Sequence, residues 1–258
     1  MIKFTIATCT YNAEKTIGRT LDSVLSQTYD QVEHLIIDGA STDATIALSR
    51  EYKEESDASE HYHEVVIISE PDNGLYDAMN KAIAIATGDY IVFLNAGDTL
   101  PTEDTLEMIS GMVGDGEELP AVIYGDTDII DADGNFVRHR RLTPPEHLTA
   151  KSFIHGMLVC HQAFYARTDL ARSNPYDTRY RFSADFDWCV RIMKSARKKG
   201  LTMKYTESVI ANYLDGGMTE ENHKASLKER YRILCRHYGV LRTTAMHVWF
   251  VIRLWFKK

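Results

Sequence analysis

Short apolar runs alternate with amphipathic stretches along the first part of the chain. The apolar runs predict β-strands over 3–9, 33–38, 65–69 and 90–95, and the amphipathic stretches predict helices near 14–28, 42–55 and 75–87. Val and Ile fill the apolar runs almost without interruption, which is typical of a parallel sheet covered by helices on both faces. This order of elements predicts the α/β class.

The pattern changes in the second half. Alternating residues on both sides of Asp133, Gly134 and Asn135 predict a β-hairpin. Further along, the sequence predicts a helix over about 184–198, short strands over 203–206 and 208–213, and a basic helical tail. We expect the polar stretch 215–223 to be a linker. The predicted domains are therefore 1–217, with halves 1–100 and 101–217, and a tail over 218–258.

Composition narrows the class of protein. The chain has 258 residues, 44% of them hydrophobic and 26% charged, so it is long enough for one large domain with a full core. Its four cysteines form no CxxC pair and lack a histidine at zinc-finger spacing, which predicts reduced cysteines in a cytoplasmic protein. The N-terminus lacks the apolar stretch of a signal peptide, and we expect no conventional membrane span.

The charge is unevenly distributed. The net charge of −8 argues against nucleic acid as the main partner. Residues 223–258 hold nine Lys/Arg and one Glu, a local charge of +8, which leaves −16 on the rest of the chain. We expect the acidic body and the basic tail to meet different partners.

Polar side chains follow each of the four predicted strands of the first half. They are Thr8, Thr10, Tyr11 and Asn12 after the first, Asp38 after the second, Glu70, Asp72 and Asn73 after the third, and Asn95 and Asp98 after the fourth. Taken alone, each of them is more typical of a turn or a helix cap than of a binding site. Ligands bind at the carboxyl ends of parallel strands, so the repetition over four strands predicts a binding site there.

The residue types suggest a ligand. Asn95 and Asp98 offer the oxygen ligands that a hard divalent cation prefers, and such a cation neutralises a departing diphosphate. Asp38 could accept a hydrogen bond from a base, and Tyr11 could stack on a flat ring. The chain has no Gly-rich phosphate loop of either common type, which disfavours a dinucleotide or P-loop enzyme.

Three sequence blocks resemble the family 2 glycosyltransferases. They are "TIATCTYNAEKTIGRTLDSVLSQTYDQVEHLIIDGASTDAT", "EPDNGLYDAMNKAIAIATGDYIVFLNAGD" and "FSADFDWCVRIM". The likeness covers about residues 3–217. It implies a GT-A fold, with a Rossmann-like, mostly parallel sheet flanked by helices. It also implies transfer of a sugar from a nucleotide diphosphate, with inversion and with Mn²⁺ or Mg²⁺.

The resemblance also implies roles for individual residues. Thr8, Tyr11, Asn12, Asp38, Asp72, Asn73 and Asn95 would bind the nucleotide-sugar, Asp98 would bind the metal, and Asp185 would be the catalytic base. The chain departs from the family pattern at three places. Asn95 and Gly97 stand where carboxylates often occur, Ile37 replaces the first Asp of "DDGS", and Ala184 replaces a Glu before the base. A reduced metal motif predicts weaker metal binding, or binding mainly through the diphosphate.

Some of these residues have simpler interpretations. Asp185 could merely cap the helix that follows it, with Ser183 as the alternative cap. Asp187 is expected to pair with Arg191 four residues on. His161 could approach the diphosphate or the acceptor, or it could be an ordinary structural histidine.

The tail over 243–258 combines Trp, Phe and aliphatic residues with flanking Lys and Arg. Its apolar run is too short to cross a bilayer but is typical of a helix lying in the interface of an anionic membrane. Packing on the body of the protein or on a second subunit is the alternative. A membrane contact would place the protein on the inner face of the cytoplasmic membrane, with a lipid-linked saccharide as acceptor.

The sequence thus predicts an inverting, metal-dependent hexosyl- or N-acetylhexosaminyltransferase of cell-surface polysaccharide biosynthesis. We expect a nucleotide-sugar donor, with UDP favoured, and a saccharide or lipid-linked saccharide acceptor. The sequence leaves the oligomeric state open, with a homo-oligomer as one alternative. Two alternatives stay open at this point: a nucleotidyltransferase acting on a sugar phosphate, and an inactive sugar- or nucleotide-binding protein of the same fold.

Overall fold

The computed structural model of the chain describes residues 1–114, 118–216 and 223–255. Its centre is an eight-stranded sheet. The strands are β1 (Phe4–Thr10), β2 (Val32–Asp38), β3 (Glu64–Ser69), β4 (Tyr90–Phe93), β5 (Val122–Ile130), β6 (Phe136–His139), β7 (Phe164–Arg167) and β8 (Met203–Leu214). They follow the order β3-β2-β1-β4-β7-β5-β6, with β8 also paired to β5.

Eight α-helices surround this sheet in the part of the chain that the structure describes. They are α1 (Ile17–Leu25), α2 (Thr45–Asp57), α3 (Leu75–Ile85), α4 (Thr105–Val113), α5 (Thr168–Ser173), α6 (Ala184–Lys198), α7 (His223–Tyr238) and α8 (Val240–Trp255). The α/β class and the mostly parallel arrangement of the first four strands are confirmed. Helix α4 was not predicted, although Leu106 and Ile109 form its buried face.

Strands β3, β2, β1 and β4 run parallel, and their carboxyl ends lie at one edge of the sheet. Thr10 pairs with Asp38, and Asp38 pairs with Ser69, so the ends of β1, β2 and β3 are in register. Strands β1 and β2 are buried along their whole length, as their continuous apolar sequences predict. The polar residues that follow these strands are therefore brought to a common edge.

The second half of the sheet is largely antiparallel. The predicted hairpin is β5 and β6, with Gly134 in the turn at φ 86°. The two short strands predicted over 203–206 and 208–213 are instead one strand, β8. A bulge explains the break in its pattern, because Glu207 has φ 52° and the register against β5 shifts there.

An aromatic cluster fixes α6 against the end of β4. The indole ring of Trp188, one turn into α6, lies 5.8 Å from the ring of Phe93 and 4.9 Å from that of Tyr176, centroid to centroid. Trp188 and Phe93 are fully buried. This packing holds the first turn of α6, which carries Asp185, close to the turn that follows β4.

The two C-terminal helices differ in their surroundings. Helix α7 packs into the core through Ile233 and Leu234, and Glu229 accepts hydrogen bonds from two backbone N–H groups of the loop before α6. On α8, Leu241 is 89% exposed and Trp249 is 56% exposed. The predicted linker and the boundary at 217 fall mainly on residues outside the described part, as does the tip of the tail, 256–258. No helix in the described ranges combines the length and apolarity that crossing a membrane requires.

Candidate active site

A cavity of about 500 Å³ opens at the carboxyl ends of the parallel strands. Its walls come from six parts of the chain: the end of β1, the start of α3, the turn after β4, the segment before β7, the start of α6 and the end of β8. The lining includes four of the predicted site residues from distant positions, Tyr11, Asp72, Asn95 and Asp98, and the predicted base Asp185. The end of β8 closes the cavity.

The turn after β4 has a conformation that needs a glycine. The backbone N–H of Asp98 donates to the carbonyl of Asn95 at 2.9 Å, and the N–H of Gly97 donates to Thr20 Oγ1 at 2.8 Å. Gly97 has φ 104°, and a Cβ there would lie 2.5 Å from Leu214 Cδ2. A carboxylate at position 97 would therefore strain the backbone and would displace the Leu214 side chain.

Asp98 is a buried carboxylate, only 3% exposed. Its Oδ2 accepts a hydrogen bond from Gln162 Nε2 at 2.8 Å, and its Oδ1 accepts one from the N–H of Leu214 at 2.9 Å. Burial raises the pKa of Asp98 to about 6, although these hydrogen bonds and the charge of His161 act against the rise. The carboxyl group is thus held in place by hydrogen bonds, but nearby positive charge does not fully compensate the negative charge of its ionised form.

Asp185 lies in the first turn of α6 and faces the cavity. Its Oδ1 accepts a hydrogen bond from the hydroxyl of Tyr76 at 3.2 Å, and its Oδ2 lies 3.5 Å from His161 Nδ1. Burial alone would raise the pKa of Asp185, but the hydrogen bond and charge of His161, together with the charge of Arg230, hold it below its ordinary value. Asp185 is therefore an ionised carboxylate at neutral pH.

His161 links this carboxylate to the turn after β4. Its Nε2 lies 3.1 Å from the amide nitrogen of Asn95. Asn95 Nδ2 donates to Nε2, which leaves Nδ1 on the side of Asp185. Burial and the adjacent carboxylate of Asp185 keep the pKa of Tyr76 well above its usual range, so the phenol remains a donor.

Besides Asn95, two of the residues predicted to bind the nucleotide-sugar line the cavity, Tyr11 and Asp72. The ring of Tyr11 is 65% exposed at its rim, as a stacking surface would be. Asp72 Oδ1 accepts a hydrogen bond from the N–H of Gly74 at 2.7 Å, at the start of α3. Its Oδ2 lies close to Gly39, where a Cβ would be only 2.7 Å away.

The other four candidates of this group form hydrogen bonds within the protein. The Thr8 hydroxyl donates to the carbonyl of Leu94, and Asn12 Oδ1 accepts from the N–H of Thr42. Buried Asp38 accepts from Ser41 and Ser69, and Asn73 donates to Asp77. None of the four is part of the described cavity lining. Their contacts with a nucleotide stay predictions.

Asp187 has a separate environment from Asp185. Its Oδ2 accepts a hydrogen bond from Arg191 Nε at 2.6 Å, which confirms the predicted i, i+4 pair. Its Oδ1 lies 2.7 Å from His237 Nε2. Ser183 is the N-cap residue of α6, yet its side chain makes no capping hydrogen bond and lies against Ser226 instead.

Most of the chain matches a known protein family. The family described as glycosyl transferase family 2 matches residues 5–173. The chain belongs to glycosyl transferase family 2. The match covers the first two sequence blocks, the cavity residues of the first half and His161, and the inferred family is confirmed. The third block, 182–193, lies beyond the match.

Curated relatives of this family 2 member include two biosynthetic enzymes. A "PGL/p-HBAD biosynthesis glycosyltransferase" of Mycobacterium bovis is 33% identical over 215 residues, covering 83% of this chain and 77% of the relative. The "Amylovoran biosynthesis glycosyltransferase AmsB" of Erwinia amylovora is 30% identical over 222 residues, covering 82% of this chain and 69% of the relative.

Solved structures support the fold. S. aureus TarS in complex with UDP-GlcNAc matches with a TM-score of 0.65 at 16% identity, covering 93% of this chain and 69% of that one. The mannosyltransferase PcManGT of Pyrobaculum calidifontis, in complex with GDP-Man and Mn²⁺, matches with a TM-score of 0.64 at 18% identity, covering 95% and 69%. The predicted GT-A fold is confirmed.

The site contains residues that the sequence did not single out. Gln162 holds Asp98, and Tyr76 contacts Asp185 from α3, 109 residues away. His161 appeared only as an ambiguous histidine. No local pattern marks these three residues, because their partners are brought near only by the order of strands β1, β4 and β7 in the sheet.

The turn after β4 offers a partial set of ligands for a divalent cation. The buried Oδ1 of Asn95 has no hydrogen-bond partner, and it lies in the same cavity as the Asp98 carboxylate. An ionised carboxylate has lone pairs beyond the two that Gln162 and Leu214 occupy. Within the described residues, no three His, Cys, Asp or Glu side chains are grouped closely enough to form a metal site by themselves. These oxygens fit a cation that takes its remaining ligands from a diphosphate and water.

Proposed function

We propose that this glycosyltransferase is a metal-dependent, inverting hexosyl- or N-acetylhexosaminyltransferase. It would move a sugar from a nucleotide diphosphate, with a UDP-sugar favoured, to a saccharide or lipid-linked saccharide. The observation that carries the proposal is the position of Asp185. An ionised carboxylate at the start of α6 shares one cavity with Asn95 and Asp98, at the strand ends where the donor is expected.

Inversion follows from a single displacement. The acceptor hydroxyl oxygen attacks the anomeric carbon, the bond from that carbon to the diphosphate breaks, and Asp185 takes the hydroxyl proton. His161 and Tyr76 keep the carboxylate oriented toward the cavity through their contacts with its two oxygens. Such a reaction needs only one carboxylate, and Asp187 is occupied by Arg191 and His237.

The donor would lie across the ends of β1 and β4. The exposed ring of Tyr11 offers a stacking surface for the base, and Asp72 lies beside it. A UDP donor is favoured by the likeness to TarS, whose structures hold UDP and UDP-GlcNAc. The likeness to a GDP-mannose enzyme makes GDP-sugars the first comparison to test.

Asp98 and Asn95 would hold Mn²⁺ or Mg²⁺ through oxygen atoms. When bound, the cation would supply positive charge for the diphosphate that leaves. Without it, Asp98 is a buried carboxylate whose charge is poorly compensated, as its raised pKa indicates. Cation binding would therefore favour the ionised form of Asp98 and would stabilise the turn that carries it.

Two observations support the proposed acceptor: the names of the curated relatives and the exposed apolar residues of α8. Both curated relatives are named for biosynthesis, one of PGL/p-HBAD and one of amylovoran, which supports a role in cell-surface polysaccharide or glycolipid biosynthesis. Exposed Leu241, Val248 and Trp249 on α8 would contact the cytoplasmic face of the membrane. The division between a catalytic domain over 1–217 and a tail over 218–258 stays a prediction.

The first experiment is a donor panel. Purified full-length protein is incubated with UDP-, GDP- and dTDP-sugars, with Mn²⁺ or EDTA, and release of the nucleoside diphosphate is measured. We expect metal-dependent release from one donor by the wild type and its loss in Asp185→Asn. Donor binding is measured in parallel by calorimetry. Binding without release, even with saccharide acceptors added, would identify an inactive binding protein, and no binding would overturn the proposal.

A further inference from the structure

A second cavity, of about 720 Å³, lies away from the donor cavity. It is formed by the last turns of α6, the end of α7, the start of α8 and the segment 149–151. No described residue lines both cavities. Asp185 and Arg197 are twelve positions apart on α6, which corresponds to about 18 Å along the helix axis. The same helix thus connects the two cavities.

The second cavity is strongly basic. Lys151, Lys194, Arg197 and Arg242 line it, and the described part of its lining contains no Asp or Glu. The chain as a whole has a net charge of −8, so this concentration of cations is not a general property of its surface. Lys151, Arg197 and Arg242 take part in none of the ion pairs between described residues.

Lys194 also lacks a carboxylate partner within hydrogen-bonding distance. Its Nζ lies 2.9 Å from His237 Nδ1 and donates to the His237 carbonyl at 3.3 Å. It also lies 5.7 Å from the centre of the Tyr238 ring. Partial burial lowers the pKa of Lys194, Asp187 acts against this, and the charge of Lys198 adds to the lowering. The ammonium group is therefore held by the imidazole and the carbonyl of His237, and an anion in the cavity would offset its desolvation.

Apart from Thr149 and His237, the remaining walls of the cavity are mainly apolar. Met193, Leu201, Met203 and the ring of Tyr238 lie beside the four cations. The Tyr238 hydroxyl donates to the carbonyl of Ala150, which ties the end of α7 to the segment 149–151. A cavity of this size, with apolar walls and several convergent charged groups, has the dimensions of a small-ligand site.

We propose that this cavity binds a phosphate group carried on an apolar body, an anionic amphiphile. Arg197 and Arg242 present planar guanidinium groups that suit phosphate oxygens, and Lys194 supplies a further point charge in the same lining. The ligand would contact both α6 and α8, so it would also strengthen the attachment of the C-terminal helices. The proposal does not depend on the reaction assigned to the donor cavity.

Calorimetric titration of the full-length protein tests this site. The probe is dihexanoyl phosphatidic acid below its micelle concentration, and dihexanoyl phosphatidylcholine is the matched neutral probe. Titrations are repeated in the presence of the nucleoside diphosphate that the donor panel identifies, so that the donor cavity is filled. We expect binding of the acid and at least tenfold weaker binding of the neutral lipid. Arg197→Gln and Arg242→Gln should each weaken binding of the acid about tenfold.

Lys198→Gln is the control, because Lys198 is an exposed neighbour on α6 that does not line the cavity. Both arginines are exposed, so their variants should fold, as circular dichroism will verify. Inorganic phosphate is titrated separately to distinguish the two possible sources of the ligand. An affinity comparable to that of phosphatidic acid indicates a soluble phosphate ligand, and a much weaker affinity indicates a lipid. Absence of binding, or an equal loss in Lys198→Gln, would overturn the proposal.

Discussion

His161 Nδ1 lies 3.5 Å from Oδ2 of Asp185, with 12% and 15% of the respective side chains exposed. The other ring nitrogen of His161 accepts a hydrogen bond from Asn95. The proposed base is therefore linked through one imidazole to the turn that also carries Asp98. If the donor and acceptor bind as proposed, this ring connects the two parts of the cavity, and His161 is then a positioning residue.

Asp185→Asn should abolish most of the transfer without unfolding the protein. The amide preserves the size of the side chain but cannot take the acceptor's proton, and general-base catalysis is worth about 10²–10⁴-fold in rate. We expect kcat to fall by that factor while the KM for the donor changes by less than about threefold. Steady-state kinetics and thermal unfolding measure the two effects. Unchanged kcat would remove Asp185 from the role of base.

His161→Gln should change the pH dependence more than the maximal rate. Burial alone would raise the pKa of Asp185, and His161 is the first of the groups that hold it below its ordinary value. Removing His161 therefore raises the pKa of the base, and the acidic limb of the rate profile moves to higher pH. The relative loss should be larger at pH 5.5 than at pH 8, in profiles of kcat/KM.

The matched control is His155→Gln, an exposed histidine of the same segment that does not line the cavity. It should keep the wild-type profile. A uniform loss at all pH values in His161→Gln, with an unmoved acidic limb, would contradict the role given to His161.

The strand ends could be predicted from the sequence because they depend on local pattern. Continuous apolar runs located β1 and β2, and parallel pairing then brought the residues after them to one edge. The link from Asn95 through His161 to Asp185 could not be predicted in the same way. It depends on β7 entering the sheet antiparallel beside β4, an order that short strands with few residues do not reveal.

Asp98→Asn should remove a specific pH dependence of stability in the metal-free protein. Burial raises the pKa of Asp98 to about 6, so the folded state holds its proton more tightly than the unfolded state. Stability is then lost as pH rises from about 4 to about 6, by roughly 3 kcal/mol in total. Urea unfolding in EDTA should show this decline in the wild type and a smaller one in Asp98→Asn.

Mn²⁺ should reverse this loss in the wild type only. A ligand that binds only the folded state at a hundred times its Kd stabilises by about 2.7 kcal/mol. We expect a rise in Tm at pH 7.5 with wild-type protein and at most a small one with Asp98→Asn. Equal shifts in both proteins would place the cation elsewhere.

Asp187→Asn should affect stability far more than chemistry. Asp187 is fully buried and pairs with Arg191 and His237, and disrupting a buried pair costs about 3–5 kcal/mol. The folded fraction should keep its kcat within a few-fold, in contrast with Asp185→Asn. Asp169→Asn, in a half-exposed pair with Arg167, is the control and should cost less than about 1 kcal/mol. A large loss of kcat in folded Asp187→Asn would reopen the choice of base.

Gly97→Ala should weaken the metal site through Leu214. Gly97 has φ 104°, where a side chain costs about 1–3 kcal/mol, and its new Cβ would lie 2.5 Å from Leu214 Cδ2. Moving Leu214 would disturb the N–H that holds Asp98 Oδ1. We expect lower stability and a raised Mn²⁺ requirement, measured by urea unfolding and by Mn²⁺ titration of activity. Gly18→Ala in α1, where nothing lies within 4 Å of the new Cβ, should instead stabilise by up to about 1 kcal/mol. Lower stability with an unchanged Mn²⁺ requirement would show that the turn does not depend on Leu214 to position Asp98.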